Sequence, residues 1–225
     1  MSDTRSSRPV ELVPRVLPRG RHKLKHSLVV ASQRQRLLEA ITELVAEKGY
    51  AAVTLNDIVR RAAIAKRTFY VHFPDKLGCF IAAFDAFTLQ LVETVMRLFR
   101  MQGSVHARTQ FTVRGLLAAL AAMPEATRAF YLELPAAGAE ALDRRLAMQR
   151  EFARLLIQLS REVHDGRPEV RELSELHALA AVGALHELIV RTVHEHGPSR
   201  LLEVGRELAP LAAAFITLQV PDEPG

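Results

Sequence analysis

The sequence predicts an all-α protein, a small basic unit of three short helices ahead of a larger helical part. Three observations predict it. Apolar residues recur at three- and four-residue intervals through most of the chain, the period of an amphipathic helix. Gly and Pro sit between these stretches, as in "PAAG" at 135–138, "DGRP" at 165–168 and "HGPS" at 196–199. Neither strand-like alternation nor an internal repeat is visible. At 225 residues and 49% hydrophobic the chain has ample material for a core.

Residues 1–26 carry Pro9, Pro14 and Pro18 and no helical period, which predicts a flexible arm. It ends in "LPRGRHKLKH", with four Lys/Arg and no acid. "SQRQ" at 32–35 has capping-box form and predicts a helix start. Leu37, Leu38, Ile41, Leu44 and Val45 follow on one stripe, then Lys48 and Gly49 suit a helix end. "TLND" at 54–57 opens a second helix carrying Leu55, Ile58, Val59 and Ala62. After a tight break at residues 63–64 a third, short helix carries Phe69 and Phe73 on one face. Pro74 ends it, and Asp75 is placed to cap a long helix over 76–100. Further helices are expected near 105–122, 125–134, 140–164, 174–196 and 200–218, with Pro210 kinking the last.

The formal net charge of +5 is unevenly placed: residues 1–76 hold 15 Lys/Arg against 7 Asp/Glu, the remainder 15 against 18. A basic N-terminal third suggests a polyanionic partner, with a merely solvated surface as the alternative. The single cysteine, Cys79, excludes an internal disulfide and fits a reducing cytoplasm. No uninterrupted apolar run approaches a spanning length and no secretion signal is read, so no membrane partner is expected.

With Phe69 and Phe73 inward, Lys66, Arg67, Thr68, Tyr70 and His72 are expected to face out. A short helix supported by two others is the helix-turn-helix arrangement, whose second helix enters the DNA major groove. Arg67 can grip guanine O6 and N7 with two parallel bonds. Thr68 can meet a thymine methyl or a phosphate, and Tyr70 and His72 can reach phosphate oxygens. Thr54 and Lys76 each open a helix, where free N–H groups favour phosphate. In the arm, Arg19 and Arg21 suit minor-groove readout; a basic tail giving only nonspecific attraction is the alternative.

"TLNDIVRRAAIAKRTFYVHFPDK" resembles the DNA-binding motif of the tetracycline-repressor (TetR) family. The resemblance covers about residues 35–80, including Gly49–Tyr50 at the end of the first helix. Thr54, Ile58, Lys66, Thr68, Phe69, Tyr70, Phe73 and Lys76 fall in register. It implies a homodimeric transcription regulator, usually a repressor released from its operator by a small ligand. Carried over, Thr54, Thr68, Tyr70, His72 and Lys76 are DNA-contact positions. Two positions depart from the pattern. Ala63 stands where the turn usually has Gly, and Ala65 where a Ser usually caps the recognition helix, a cap worth about 1 kcal/mol.

Leu201, Val204, Leu208, Leu211, Phe215 and Leu218 alternate three and four apart, a seam for helix-on-helix packing. The preceding helix carries Ala180, Ala181, Gly183 and Ala184, which let another helix approach. Two such helices from each subunit would make a four-helix dimer interface, which the resemblance also implies; otherwise the seam packs on its own subunit. A ligand pocket is likewise implied. Its candidate liners are Phe84, Phe87, Phe111, Met123, Phe130, Tyr131, Met148, Phe152, His177 and His186, each of which is otherwise plain core. The set suggests a mostly apolar effector with a few polar anchors.

The resulting expectation is an arm over 1–26, a helix-turn-helix DNA-binding domain over 27–76 and a helical ligand-binding and dimerisation domain over 77–225. The partners expected are a palindromic double-stranded operator, a second copy and a small effector, in the cytoplasm, with no cofactor, metal or catalytic residue. Cys79 with His72 lacks a third partner for catalysis. His177, His186 and His194 do not share a helix face for a metal. An all-α adaptor that binds protein partners instead of DNA is the alternative.

Overall fold

The computed structural model describes residues 26–166 and 172–217, and among them every regular element is helical. The helices are α1 (His26–Lys48), α2 (Leu55–Arg61), α3 (Lys66–His72), α4 (Lys76–Phe99), α5 (Val105–Ala122), α6 (Pro124–Leu132), α7 (Ala139–Gly166), α8 (Glu175–His196) and α9 (Leu201–Thr217). Short 3₁₀ turns at Leu134–Ala137 and Pro198–Arg200 lead into α7 and α9. Arg19, Arg21, and Leu218 of the expected seam lie outside the described residues, as does the side chain of Phe215.

The first three helices fold around Leu37, Ile41, Val45, Ile58 and Phe69, all fully buried. The central α4 buries Cys79, Phe80, Phe84, Phe87, Leu91 and Val95 in the same continuous core. Asp75 caps it by accepting from the Gly78 N–H at 2.8 Å, as its position after Pro74 predicts. Because α1 packs on both α4 and α6, the N-terminal unit shares its core with the rest of the chain.

Three expectations need correction. Helix α1 begins at His26, so Ser32 is no cap; it is a buried residue inside the helix. A hydroxyl-x-x-Gln pattern fits a helix interior equally well, and Leu28, Val29 and Val30 ahead of it extend the half-buried stripe. Second, the buried face of α9 is not the three-four seam. Leu201, Gly205, Ala209 and Ala213, four apart, face the interior, while Val204 and Leu208 are half-buried and Leu211 is 66% exposed. The small residues win because α5 lies very close: a β-carbon on Gly205 would stand 3.4 Å from Leu117. Third, α4 and α8 are by length and composition apolar enough to cross a membrane. For α4 the core of a bundle accounts for this, since its apolar face is buried against α1, α5 and α7.

Candidate nucleic-acid interface and apolar cavity

Helix α2 is fixed at its start by Thr54 and Asp57. The Asp57 N–H donates to Thr54 Oγ1 at 3.2 Å, and Asp57 Oδ2 accepts from the Thr54 N–H at 3.0 Å and hydroxyl at 2.7 Å. Lys48 Nζ reaches the same oxygen at 2.7 Å. Lys48 first, and then Thr54, hold this carboxyl well below the usual carboxylate range. Thr54 is thus an exposed residue at a helix start whose hydroxyl serves the cap.

The turn to α3 closes through the Ala63 and Ile64 N–H groups, which donate to Arg60 O at 3.2 Å and Val59 O at 3.0 Å. It requires φ of +51° at Ala63, the left-handed region that costs an alanine about 1–2 kcal/mol and glycine nothing. Ala65 starts α3 with no side-chain cap. Phe69 and Phe73 point inward with ring centroids 5.9 Å apart, and Arg34 lies over the Phe73 ring.

This leaves Lys66, Arg67, Tyr70 and Val71 exposed and Thr68 half-buried. Arg67 and Val71 share one stripe, four apart, and Lys66 and Tyr70 the next. Basic residues around them are engaged within the domain. Arg60 pairs with Asp57 at 3.0 Å, and Arg61 reaches Glu43 at 3.1 Å and Glu47 at 2.7 Å. Among the described residues Lys66 and Arg67 make no ion pair, so α3 presents two free cations, with the exposed Arg34 of α1 close by over the Phe73 ring. Val71, 74% exposed, was not singled out from sequence. The inward spacing of Phe69 and Phe73 was the available signal, because it turns position 71 outward.

Two candidates sit differently from expectation. His72 is half-buried, with Nε2 3.3 Å from Gln33 Oε1, and burial first, then Arg34, lowers its pKa. Lys76 Nζ donates to Tyr50 O at 3.0 Å and Val53 O at 2.9 Å and lies 4.1 Å from the centre of the Tyr50 ring. Burial lowers its pKa as well. Two of its three donors tie the loop before α2 to the start of α4.

The larger part of the chain contains a cavity of about 410 Å³. Its walls are Val95 and Phe99 of α4, Thr109 to Leu116 on one face of α5, Phe152 to Leu159 of α7, the 180–188 stretch of α8, and Leu208, Leu211 and Ala212 of α9. The lining is almost wholly aliphatic. Thr109 is buried there and its Oγ1 has no hydrogen-bond partner. On the open side lie Ala180, Ala184, Leu188 and Leu211, all solvent-exposed in the single chain.

Of the ten liner candidates, Phe152 is on this wall. Phe84, Phe87 and Phe130 form an aromatic core cluster with centroids 5.0–5.7 Å from Phe130. Tyr131 and Met148 are buried beside it, Met123 packs on the core edge, and Phe111 and His177 are exposed. His186 stacks on Tyr131. The search for aromatics and Met passed over the Leu-rich wall: Leu155, Leu156, Leu159 and Leu185 carry no signal that separates them from plain core. Of the expected dimer residues, Ala180, Ala184 and Leu211 are exposed, Gly183, Val204 and Leu208 are half-buried, and Leu201 is buried within the chain. Cys79 is fully buried, and burial pushes its thiol up to about 12.

Residues 37–83 match the family model of the bacterial regulatory proteins of the tetR family. The chain is 30% identical over 83 residues to the HTH-type transcriptional activator FasR of Mycolicibacterium smegmatis, a match spanning 37% of this chain and 38% of that relative. The fold is similar to that of the fatty acid degradation regulator FadR from Bacillus halodurans, with a TM-score of 0.69 at 20% identity over 79% of this chain and 94% of that one. FadR from Bacillus subtilis in complex with stearoyl-CoA is similar at a TM-score of 0.67 and 19% identity, covering 79% of this chain and 98% of that one. The helix-turn-helix geometry and the family match agree over the same residues: 37–83 carry the DNA-binding motif of the tetR family of bacterial regulatory proteins, and the rest of the chain shares the fold of the regulators it resembles.

Proposed function

We propose that the protein is a cytoplasmic, homodimeric regulator that reads a palindromic DNA operator through α3 and is released by a small, largely apolar effector. The observation that carries the DNA reading is the outward face of α3. It presents two free cations, a phenol and an aliphatic side chain on a helix held by two buried phenylalanines. Arg67 reads guanine through O6 and N7, and Val71 beside it meets a thymine methyl. Lys66, Thr68 and Tyr70 anchor to phosphates, with the N-terminus of α2 at Thr54 beside the backbone. The arm, with Arg19 and Arg21, adds minor-groove contacts. The intact turn at Ala63 and the uncapped but formed α3 favour DNA over the protein-adaptor reading.

The exposed faces of α8 and α9 support dimerisation. Leu176, Ala180, Ala184, Leu188 and Leu211 are apolar and uncovered in the single chain. Pairing them with a second copy completes a four-helix interface and closes the open side of the cavity.

The cavity supports an aliphatic effector, and the stearoyl-CoA held by a regulator of similar fold suggests an acyl chain. By population shift, such an effector would favour a conformer whose two α3 helices no longer match successive major grooves, about 34–36 Å apart. Selection of DNA from a random pool by the full chain tests the reading. An enriched palindrome is expected, and a dimer that enriches no motif would refute it. Activation is the second reading, favoured by the activator FasR among the relatives. A reporter behind the selected operator separates the two by the sign of its response.

A further inference from the structure

Three polar groups on the helices that carry the cavity wall or adjoin it, themselves outside that wall, have no hydrogen-bond partner among the described residues. Arg145 of α7 is half-buried, its Nε is enclosed without an acceptor, and among the described residues it makes no ion pair. His186 of α8 is half-buried with an enclosed, unpartnered Nε2. The Tyr131 ring stacks on it at a centroid distance of 5.1 Å, and its hydroxyl makes no hydrogen bond among the described residues. Enclosed donors without acceptors carry a desolvation cost that a bound acceptor removes.

Register places Arg145 and His186 beyond one end of the cavity wall, and Tyr131 with them through its stacking on His186. Arg145 and the wall residue Phe152 are seven apart on one face of α7, about 10 Å along the helix. His186 follows the wall residue Val182 by four on α8, about 6 Å. Met148 lies between Arg145 and Phe152 on that face, and an unbranched thioether repacks readily. The partnerless polar atom on the wall itself, Thr109 Oγ1, belongs to α5 near the end of α4.

Burial first, and then the Arg145 charge, lowers the pKa of His186, so its imidazole is neutral at neutral pH and donates through one nitrogen. Glu187 acts on it in the opposite sense but lies 3.8 Å from Arg191 on the exposed side. Burial raises the Tyr131 phenol, which stays a donor. The Arg145 guanidinium, the Tyr131 hydroxyl and the protonated nitrogen of His186 can each donate to one oxygen acceptor, and Arg145 adds a permanent positive charge.

Resting on the reading of the cavity as an effector site, we propose that Arg145, His186 and Tyr131 form its head-group end, and that the effector is an aliphatic chain ending in an acyl oxygen acceptor. A free carboxylate and an acyl thioester share that chemistry. The chain fills the aliphatic cavity while the oxygen meets the three donors.

Calorimetric titration of the full-length protein with laurate, lauroyl-CoA and 1-dodecanol tests this and separates the two sources. The alcohol has the same chain and lacks the acyl oxygen. Wild type is expected to bind at least one acyl compound more tightly than the alcohol. Arg145→Met should lower that affinity roughly ten- to hundredfold, the worth of a charge-assisted hydrogen bond, and leave the alcohol unaffected. Tyr131→Phe, which preserves the packing, should lower it roughly three- to tenfold. Thr109→Val should leave the head-group preference intact. Equal binding of all three compounds by wild type overturns the head-group assignment while the apolar effector site stands. So does an equal loss for all three in Arg145→Met, or a preference abolished by Thr109→Val instead. Binding of none of the three overturns the acyl-effector reading and this inference together.

Discussion

At the scale of single residues, the helix-turn-helix is built with two local costs that its sequence does not relieve. Ala63 holds φ of +51°, and α3 begins at Ala65 without a side-chain acceptor. Ala63→Gly removes the left-handed strain at the expense of a freer unfolded chain, so a net gain of about 0.5–1 kcal/mol is expected in urea unfolding. Ala65→Ser supplies the missing cap and should add about 1 kcal/mol. The two are neighbours, so their sum is not expected to be additive. Lys76 makes the opposite case. Its register suggested a phosphate contact, yet its ammonium holds the carbonyls of Tyr50 and Val53. Lys76→Met should therefore cost about 1–3 kcal/mol of stability, because two part-buried acceptors lose their donor. The salt dependence of operator binding should stay the same; a slope lower by about one would instead assign a phosphate contact.

At the scale of elements, α2 depends on one ionised carboxylate. The folded pKa of Asp57 lies below its unfolded value of about 3.9, so its contribution is present above about pH 4 and is lost as pH falls toward the folded value. Asp57→Asn should lower the melting temperature at pH 7 and converge with wild type in acid, which a pH series of thermal melts measures. Helix boundaries were legible in the sequence wherever a cap or breaker was physical: Thr54, Asp75, Pro74 and the breaks at 135–138 and 196–199 mark real ends. Ser32 misled because a capping pattern names a possible start, while tertiary burial decided that α1 continues through it. On α9 the three-four Leu seam was legible, but which face it turned inward was not. That depended on α5 approaching Gly205 closely, a relation between elements far apart in sequence. The exposed Leu211 then belongs to the face proposed to pair with a second copy. Leu211→Glu is expected to give a monomer of unchanged helix content in sedimentation, since the substitution faces solvent in the single chain and would bury a charge in the dimer.

At the scale of the whole molecule, the proposed effector in the cavity would have to change how α3 is presented, and within the core that joins the two regions one chain of specific contacts leads to the loop before α2. Glu133, after α6, accepts from the Tyr50 N–H at 3.0 Å, while Lys76 holds the Tyr50 carbonyl from the other side. The Tyr50 ring packs 5.0 Å from Phe80, Phe80 packs 5.5 Å from Phe130, and Phe130 neighbours Tyr131 on α6. Tyr131 carries the stacked His186, four residues beyond the wall residue Val182 on α8. The loop that aims α2 and α3 is thus gripped by residues whose helix borders the proposed head-group site. None of this was legible in the sequence, where Glu133 is one acid among many and its partner is a backbone N–H 83 positions away. If effector binding shifts α6, Glu133 transmits the shift to Tyr50, and the energy of that link is part of the coupling between the two sites. Glu133→Ala should then leave effector affinity in the absence of DNA and operator affinity in the absence of effector within about threefold, while the factor by which each weakens the other falls by about fivefold or more, at the low end of ordinary coupling energies. Anisotropy titrations of operator with and without effector, and the reciprocal calorimetry, measure the same factor twice. A variant of lower melting temperature but unchanged factor would make Glu133 a structural brace alone.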